Sequence, residues 1–258
     1  MTDHYPARMI ALLERVWGSG FLSPGGADEV ARIIGDQSIA GCSVLDIGCG
    51  AGGIDIALVR DHHAAFVTGM DVEDPVLTHA RALVAAAGLT RRIGLVKAAP
   101  GPLPFAPGSF DVVFSKDSIV HIPDKHSLMA DVYRILKPGG RFIASDWLIG
   151  TQTPSPAMLD YIAAEGLDFG MATPRQYRDA MAQAGFADIR TISRTAWYRQ
   201  TARAERARLS APQDAATLAS VGQPFIDQNI ALWDRMIPLL DTGEHCPTHL
   251  FARKPATE

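Results

Sequence analysis

The sequence predicts an α/β fold: an open, mostly parallel sheet with helices on both faces, N-terminal helices in front of it and a helical lid or cap. Three observations carry this. Between residues 40 and 195, short apolar runs of strand length alternate with stretches of helical periodicity, the pattern of repeated β–α–β crossovers. The first such run, Val44-Leu45-Asp46-Ile47, passes straight into Gly48-Cys49-Gly50-Ala51-Gly52-Gly53 and then into a helical stretch over 54–59. An acid, Asp71, closes the second run, twenty-three residues after Gly48.

Ahead of the core, apolar residues at 9, 10, 12, 13, 16 and 17 recur with helical spacing, and Gly18-Ser19-Gly20 ends that helix. A second helix is expected over 27–39. Ala65 to Met70 reads as the second strand. Asp74 as N-cap, with Pro75 at the first helical position, opens a helix that runs to Ala87 and is closed by Gly88. Strands follow at 93–96 and 111–115, separated by a proline-rich loop at 100–107. A helix at 128–136, a Lys137-Pro138-Gly139-Gly140 turn and a strand at 141–147 come next. Residues 150–172, with Pro154, Pro156, Gly166 and Gly170, break the rhythm and read as a lid or insertion. Thr173-Pro174 starts a helix to Ala184, a sixth strand spans 187–192, 196–242 is helical, and 248–253 supplies a last strand. The expected divisions are an N-terminal helical cap (1–40), a ligand-binding core (41–195), and C-terminal helices with a final strand (196–258).

The 258 residues suffice for one such unit with additions. Hydrophobic residues make up 47% and charged ones 20%, ordinary for a globular chain in water, and a net charge of −4 gives no general attraction to nucleic acid. Cys42, Cys49 and Cys246 are few, odd in number and not at metal-ligand spacing. Free thiols in a reducing, cytoplasmic setting are expected, and no metal. No stretch approaches a membrane span, and the first residues lack a secretory pattern.

Gly48, Gly50 and Gly53 fit the phosphate-approaching pattern G-x-G-x-x-G, in which glycine lets a ligand reach the backbone and the next helix presents free N–H groups. Asp46 is costly at a strand end unless it meets a donor, so it is expected to face the ligand or the turn amides. Asp71 lies where a ribose hydroxyl is normally held, although an acid there also caps a nearby helix. Lys116-Asp117-Ser118-Ile119-Val120-His121-Ile122 falls just past the fourth strand, where open sheets place their ligands.

The order D-I-G-C-G, Asp71, L-P-F-A-P-G-S-F-D, L-K-P-G-G-R-F resembles the Rossmann-like class I S-adenosylmethionine-dependent methyltransferases over roughly residues 40–195. That resemblance implies a seven-stranded sheet with an antiparallel last strand. Within the class, H-Y at 4–5, W-G-S-G-F-L-S-P-G-G at 17–26 and K-D-S-I-V-H-I at 116–122 resemble the phosphoethanolamine N-methyltransferases, and the sarcosine and dimethylglycine methyltransferases are similar. The resemblance implies S-adenosyl-L-methionine as cofactor and S-adenosyl-L-homocysteine as product. It places Leu22, Ser23, Gly48, Asp71, Val72 and Lys116 around the cofactor and Asp117 against the substrate amine, and it implies a catalytic pair of Tyr5 and His121. His4 beside Tyr5 is expected to touch substrate. Two departures stand out. Ala99 replaces the acid that usually holds the adenine amine, leaving backbone or stacking for that task. The stretch 163–169 lacks the phosphate-holding arginine and carries Glu165 and Asp168 instead.

Trp17, Trp147, Tyr161 and Phe169 are either core residues or parts of an aromatic cage for an ammonium, Trp147 being the first choice. The arginines between 190 and 208, broken by Glu205, read as a solvated helix face. The expected reaction is N-methylation of a small amine or amino acid by a monomer or homodimer. The alternatives are an O-, S- or C-methyltransferase of a larger apolar metabolite, a NAD-dependent oxidoreductase that shares the glycine pattern, and a binding protein without turnover.

Overall fold

The computed structural model describes residues 5–98, 101–167 and 169–256. His4, Ala99 and Asp168, each given a part above, lie outside the described residues. The strands are β1 (Ser43–Ile47), β2 (Phe66–Asp71), β3 (Ile93–Lys97), β4 (Phe110–Lys116), β5 (Leu136–Asp146), β6 (Ala187–Ser193) and β7 (Thr248–Arg253). They form one seven-stranded sheet in the order β3-β2-β1-β4-β5-β7-β6, in which β7 runs antiparallel to both its neighbours and the pairs from β3 to β5 are parallel.

Period-two alternation decides which face each side chain serves. Val44, Val112, Phe114 and Ile143 point to one face. There α2 (Gly26–Ile34), α3 (Gly53–Arg60) and α4 (Asp74–Ala86) cover them with Val30, Ile33, Leu58 and Val84. Leu45, Ile47, Val113 and Phe142 point to the other, under α5 (Lys125–Ile135) and α7 (Pro174–Gln183). A third apolar cluster joins α1 (Ala7–Trp17), α6 (Pro156–Glu165), α8 (Thr195–Ser210) and α10 (Gln223–Thr242), with α9 (Ala215–Ser220) between the last two. The strand order reverses between β1 and β4, which opens a crevice at their C-terminal ends.

Several boundaries differ from the sequence reading. The second helix stops at Ile34, at Gly35 (φ 58°), short of residue 39. Glu73, not Asp74, is the N-cap of α4, and Pro75 lies in its first turn. The amides of Val72 and Glu73 are already taken by the Asp71 side chain, so the chain turns one residue early. Helix α5 begins at Lys125 because Asp124 accepts from Ser127 N at 2.9 Å, an N-cap the apolar spacing hid. The Lys137–Gly140 turn is an irregularity inside β5, whose register jumps from Phe110↔Leu136 to Val112↔Arg141, and Trp147 lies just past the strand. The lid segment contains a true helix, α6, with Ser155 as its cap.

Candidate active site

The turn after β1 is held from three sides. Gly48 N and Cys49 N both donate to Met70 O on β2, at 2.8 and 3.1 Å. Gly48 has φ 76°, and a Cβ there would stand 2.2 Å from Ser118 Cβ, so only glycine lets the loop after β4 pack onto the turn. Ser118 Oγ donates to Gly48 O at 3.0 Å. From the third side Gly53 N donates to Gly20 O at 3.0 Å, so the segment after α1 lies on the turn and sets Leu22 over Gly50.

Asp71 stands below this turn. Its Oδ2 accepts from Gly50 N at 3.0 Å, and its Oδ1 from Val72 N at 2.7 Å and Glu73 N at 3.1 Å. Burial raises its pKa, against those amide bonds. A carboxylate offers about four acceptor positions, so roughly one remains for a ligand. The Val72 side chain beside it is 48% exposed.

Asp46 requires a correction. It is fully buried and meets no turn amide, and its partner is Asp55 on the first turn of α3. The hollow they occupy exists because Gly69 has no side chain: a Cβ there would stand 2.3 Å from Asp55 Oδ2. Neither carboxylate has a donor from the rest of the described residues. Burial raises both, Asp46 to about 7, so the pair shares a proton and makes its hydrogen bond internally.

At the end of β4, Lys116 is also buried, and its Nζ lies 2.6 Å from Ser23 Oγ and 2.7 Å from Asp117 Oδ2. Asp117, at φ 55°, receives Ser145 Oγ on its other oxygen at 2.9 Å. The lysine charge therefore balances the aspartate rather than reaching outward. His121 ends a single 3-10 turn, Ile119–His121, with Nδ1 2.8 Å from Leu167 O. A proton on Nδ1 satisfies that carbonyl and makes Nε2 the basic nitrogen. The loop itself is anchored beneath. Asp146 accepts from Val120 N at 2.9 Å and from the Tyr177 hydroxyl, and Lys125 Nζ donates to Ile119 O and Ile122 O at 2.7 and 2.6 Å.

The loop after β4 and the segment after α1 border one cavity of about 670 Å³, counted to its open mouth, whereas Gly48, Gly50, Asp71, Val72 and Lys116 are not among its lining residues. Tyr5, His121, Asp117, Trp147, Leu22 and Ser23 line it, as the sequence proposed for one site. Tyr5 is half-buried, and burial together with Asp71, Glu165 and Glu73 pushes its phenol up, so it stays protonated. Trp147 stands edge-on to Phe169 and to His245 at 5.8 and 5.3 Å between centroids. Glu165 is the other carboxylate on the wall, and burial raises its pKa. No lysine or arginine is among the described lining residues.

Sequence reasoning did not name Tyr198, Asn229 and Trp233, which α8 and α10 bring to the cavity wall. It also misplaced Glu205, read as part of a solvated face. Glu205 is fully buried and accepts the indole N–H groups of Trp17 at 2.7 Å and Trp233 at 3.2 Å. A lone acid repeating at helical distance from buried Tyr198 and Leu209 was the available signal. The arginines around it do face outward, pairing with Asp241 and Asp234.

A methyltransferase-domain family model matches residues 45–144, from β1 into β5. Phosphoethanolamine N-methyltransferase 1 of Arabidopsis thaliana is 33% identical over 204 residues, 78% of this chain and 40% of that protein. Phosphoethanolamine N-methyltransferase of Triticum aestivum is 30% identical over 241 residues, 93% of this chain and 46% of that one. The chain spans about half the length of the curated relatives it matches. Among solved structures, phosphoethanolamine N-methyltransferase 2 of Haemonchus contortus, in complex with phosphomonomethylethanolamine and S-adenosylhomocysteine, matches with a TM-score of 0.87 at 26% identity. That match covers 98% of this chain and 59% of that one.

Proposed function

We propose that the chain is a class I S-adenosylmethionine-dependent methyltransferase that moves a methyl group from S-adenosyl-L-methionine to the nitrogen of a small, phosphate-free amine. The observation that carries the substrate half of this reading is the cavity wall. It presents Asp117, Glu165 and several aromatic rings, and among the described lining residues no lysine or arginine. Among the described lining residues a dianionic phosphate meets no lysine or arginine, and Lys116 behind them is already paired with Asp117, whereas an ammonium meets carboxylates and ring faces.

The turn fits a nucleoside. Leu22 packs over Gly50 and gives the turn an apolar cover, Asp71 keeps an acceptor position for a ribose hydroxyl, and the exposed Val72 side chain offers an apolar face to a base. When bound, the cofactor supplies a methyl group already activated on sulfur, so no residue has to generate an electrophile. The protein's work is on the amine. An ammonium has no lone pair and must lose a proton before it attacks. His121 Nε2 takes that proton, with Nδ1 fixed on the Leu167 carbonyl. Asp117 receives an N–H of the substrate; because Lys116 already balances its charge, it directs the amine without strongly raising the amine's pKa. Tyr5 covers the site and excludes water. The methyltransferase-domain match over residues 45–144 supports methyl transfer over the NAD-linked alternative.

The test is transfer of labelled methyl from S-adenosylmethionine across amines, alcohols and thiols, with phosphoethanolamine included. Saturable labelling of phosphate-free amines is expected. Labelling of phosphoethanolamine with none for the other amines overturns the substrate reading. Labelling confined to alcohols or thiols overturns the acceptor atom.

A further inference from the structure

Glu205 is an unusual residue for the wall it sits behind. It is fully buried, makes no ion pair among the described residues, and gives each of its oxygens to a different indole. The two rings, Trp17 from α1 and Trp233 from α10, lie 6.1 Å apart between centroids at 39° to one another, and both line the cavity. A buried carboxylate without a cation is expensive, and two neutral N–H groups offset only part of that cost. Each indole that donates its N–H to an anion becomes richer in electrons at its face, the face that attracts a cation.

We propose that Trp17 and Trp233, held by Glu205, form a seat for an ammonium that already carries methyl groups. The reading rests on the methyl-transfer function proposed above and deepens it: the acceptor or product is an N-methylated cation, and Glu205 is a positioning residue that sets the rings and supplies long-range countercharge. Methyl groups on nitrogen suit this wall because Leu13 and Met236 border the same cavity and give apolar contact to the N–CH₃ surface, while the charge is spread over the ring faces. A primary ammonium, richer in N–H donors, is served better by Asp117, which lines the same cavity.

The rival explanation is purely architectural: Glu205 pins α1 and α10 to α8 and has no interest in charge. Choline and its neutral isostere 3,3-dimethyl-1-butanol separate the two. Calorimetric titration of the whole chain, without cofactor and at about pH 8, where Glu205, pushed up to about 7 by burial, is mostly ionised, is expected to show choline binding well ahead of the isostere. In Glu205→Gln the choline dissociation constant rises about threefold to thirtyfold, the span of a cation–π contribution, while the isostere changes little; the melting temperature falls by a few degrees because the amide nitrogen faces one of the two indole N–H donors. Trp233→Phe keeps a ring but removes the N–H, and it is expected to weaken choline in the same direction should the glutamine variant fold poorly. Equal affinity for choline and the isostere in the unaltered protein overturns the proposal, as does a Glu205→Gln or Trp233→Phe protein that binds choline normally. Because these titrations involve no turnover, choline binding without methyl transfer to any amine fails the functional reading and leaves the seat standing.

Discussion

Replacing Asp71 with alanine removes an acceptor that the amides of Gly50, Val72 and Glu73 share, and with it the contact to a ribose hydroxyl that the function proposed above assigns to this carboxylate. A hydrogen bond to a charged group contributes about 1.5–3 kcal/mol, so loss of the ribose contact alone lowers cofactor affinity about tenfold to a hundredfold. The amides add a cost to the fold. Val72 and Glu73 are near water and rehydrate, but Gly50 N loses the bond that ties the glycine turn to β2. A loss of about 1–3 kcal/mol is expected. At about 2–4 °C per kcal/mol in a chain of this size, melting falls by several degrees. The asparagine variant separates charge from shape. One oxygen still serves Val72 and Glu73, but the amide nitrogen faces the Gly50 N–H donor, and affinity stays near the alanine level. In the native protein, affinity falls as pH drops through the raised Asp71 pKa, starting above the range of an ordinary aspartate, and the asparagine variant lacks that dependence. Calorimetric titration with S-adenosylhomocysteine, paired with thermal melts, reads both effects. Native-like affinity in the asparagine protein would refute the reasoning, since neither the charge nor the Gly50 tether would then matter.

His121→Ala is expected to abolish turnover while S-adenosylhomocysteine affinity stays within about twofold; near-normal turnover in the variant removes the base assignment. Gly48→Ala forces a Cβ to 2.2 Å from Ser118 Cβ at φ 76°, a combination of overpacking and left-handed strain worth about 2–5 kcal/mol. Adding Ser118→Gly restores part of that stability, and strict additivity in denaturant melts would mean the contact is absent. Burial lifts Asp46, Asp146 and Glu205 to about 7 in the folded chain, above their unfolded values, so the stability these groups contribute is complete below about pH 4 and is lost as pH rises through about 7. Melting temperature should therefore rise between about pH 8 and pH 6, where Asp46, Asp146 and Glu205 titrate, and a fall over that window contradicts the assignment.

The alternation of strand and helix, the glycine turn and the acid after β2 were legible because each is a local signal. A strand repeats every two residues, a helix every 3.6, and the distance from Gly48 to Asp71 is fixed by one helix and one strand. The reversed direction of β7 came from the family resemblance and not from any pattern in residues 248–253, whose pairing partners on β5 lie about a hundred residues earlier. Tertiary structure alone decided what faces what. Asp46 looked inward to Asp55 because Gly69, on the neighbouring strand, leaves a hollow there. Glu205 sits in a helix rich in arginine and reads as exposed, yet its burial depends on Trp17, 188 residues before it, and Trp233, 28 residues after it. Local periodicity reports which residues share a face. It does not report which distant ring will cover that face, and for a charged residue that distant contact decides between solvent and core.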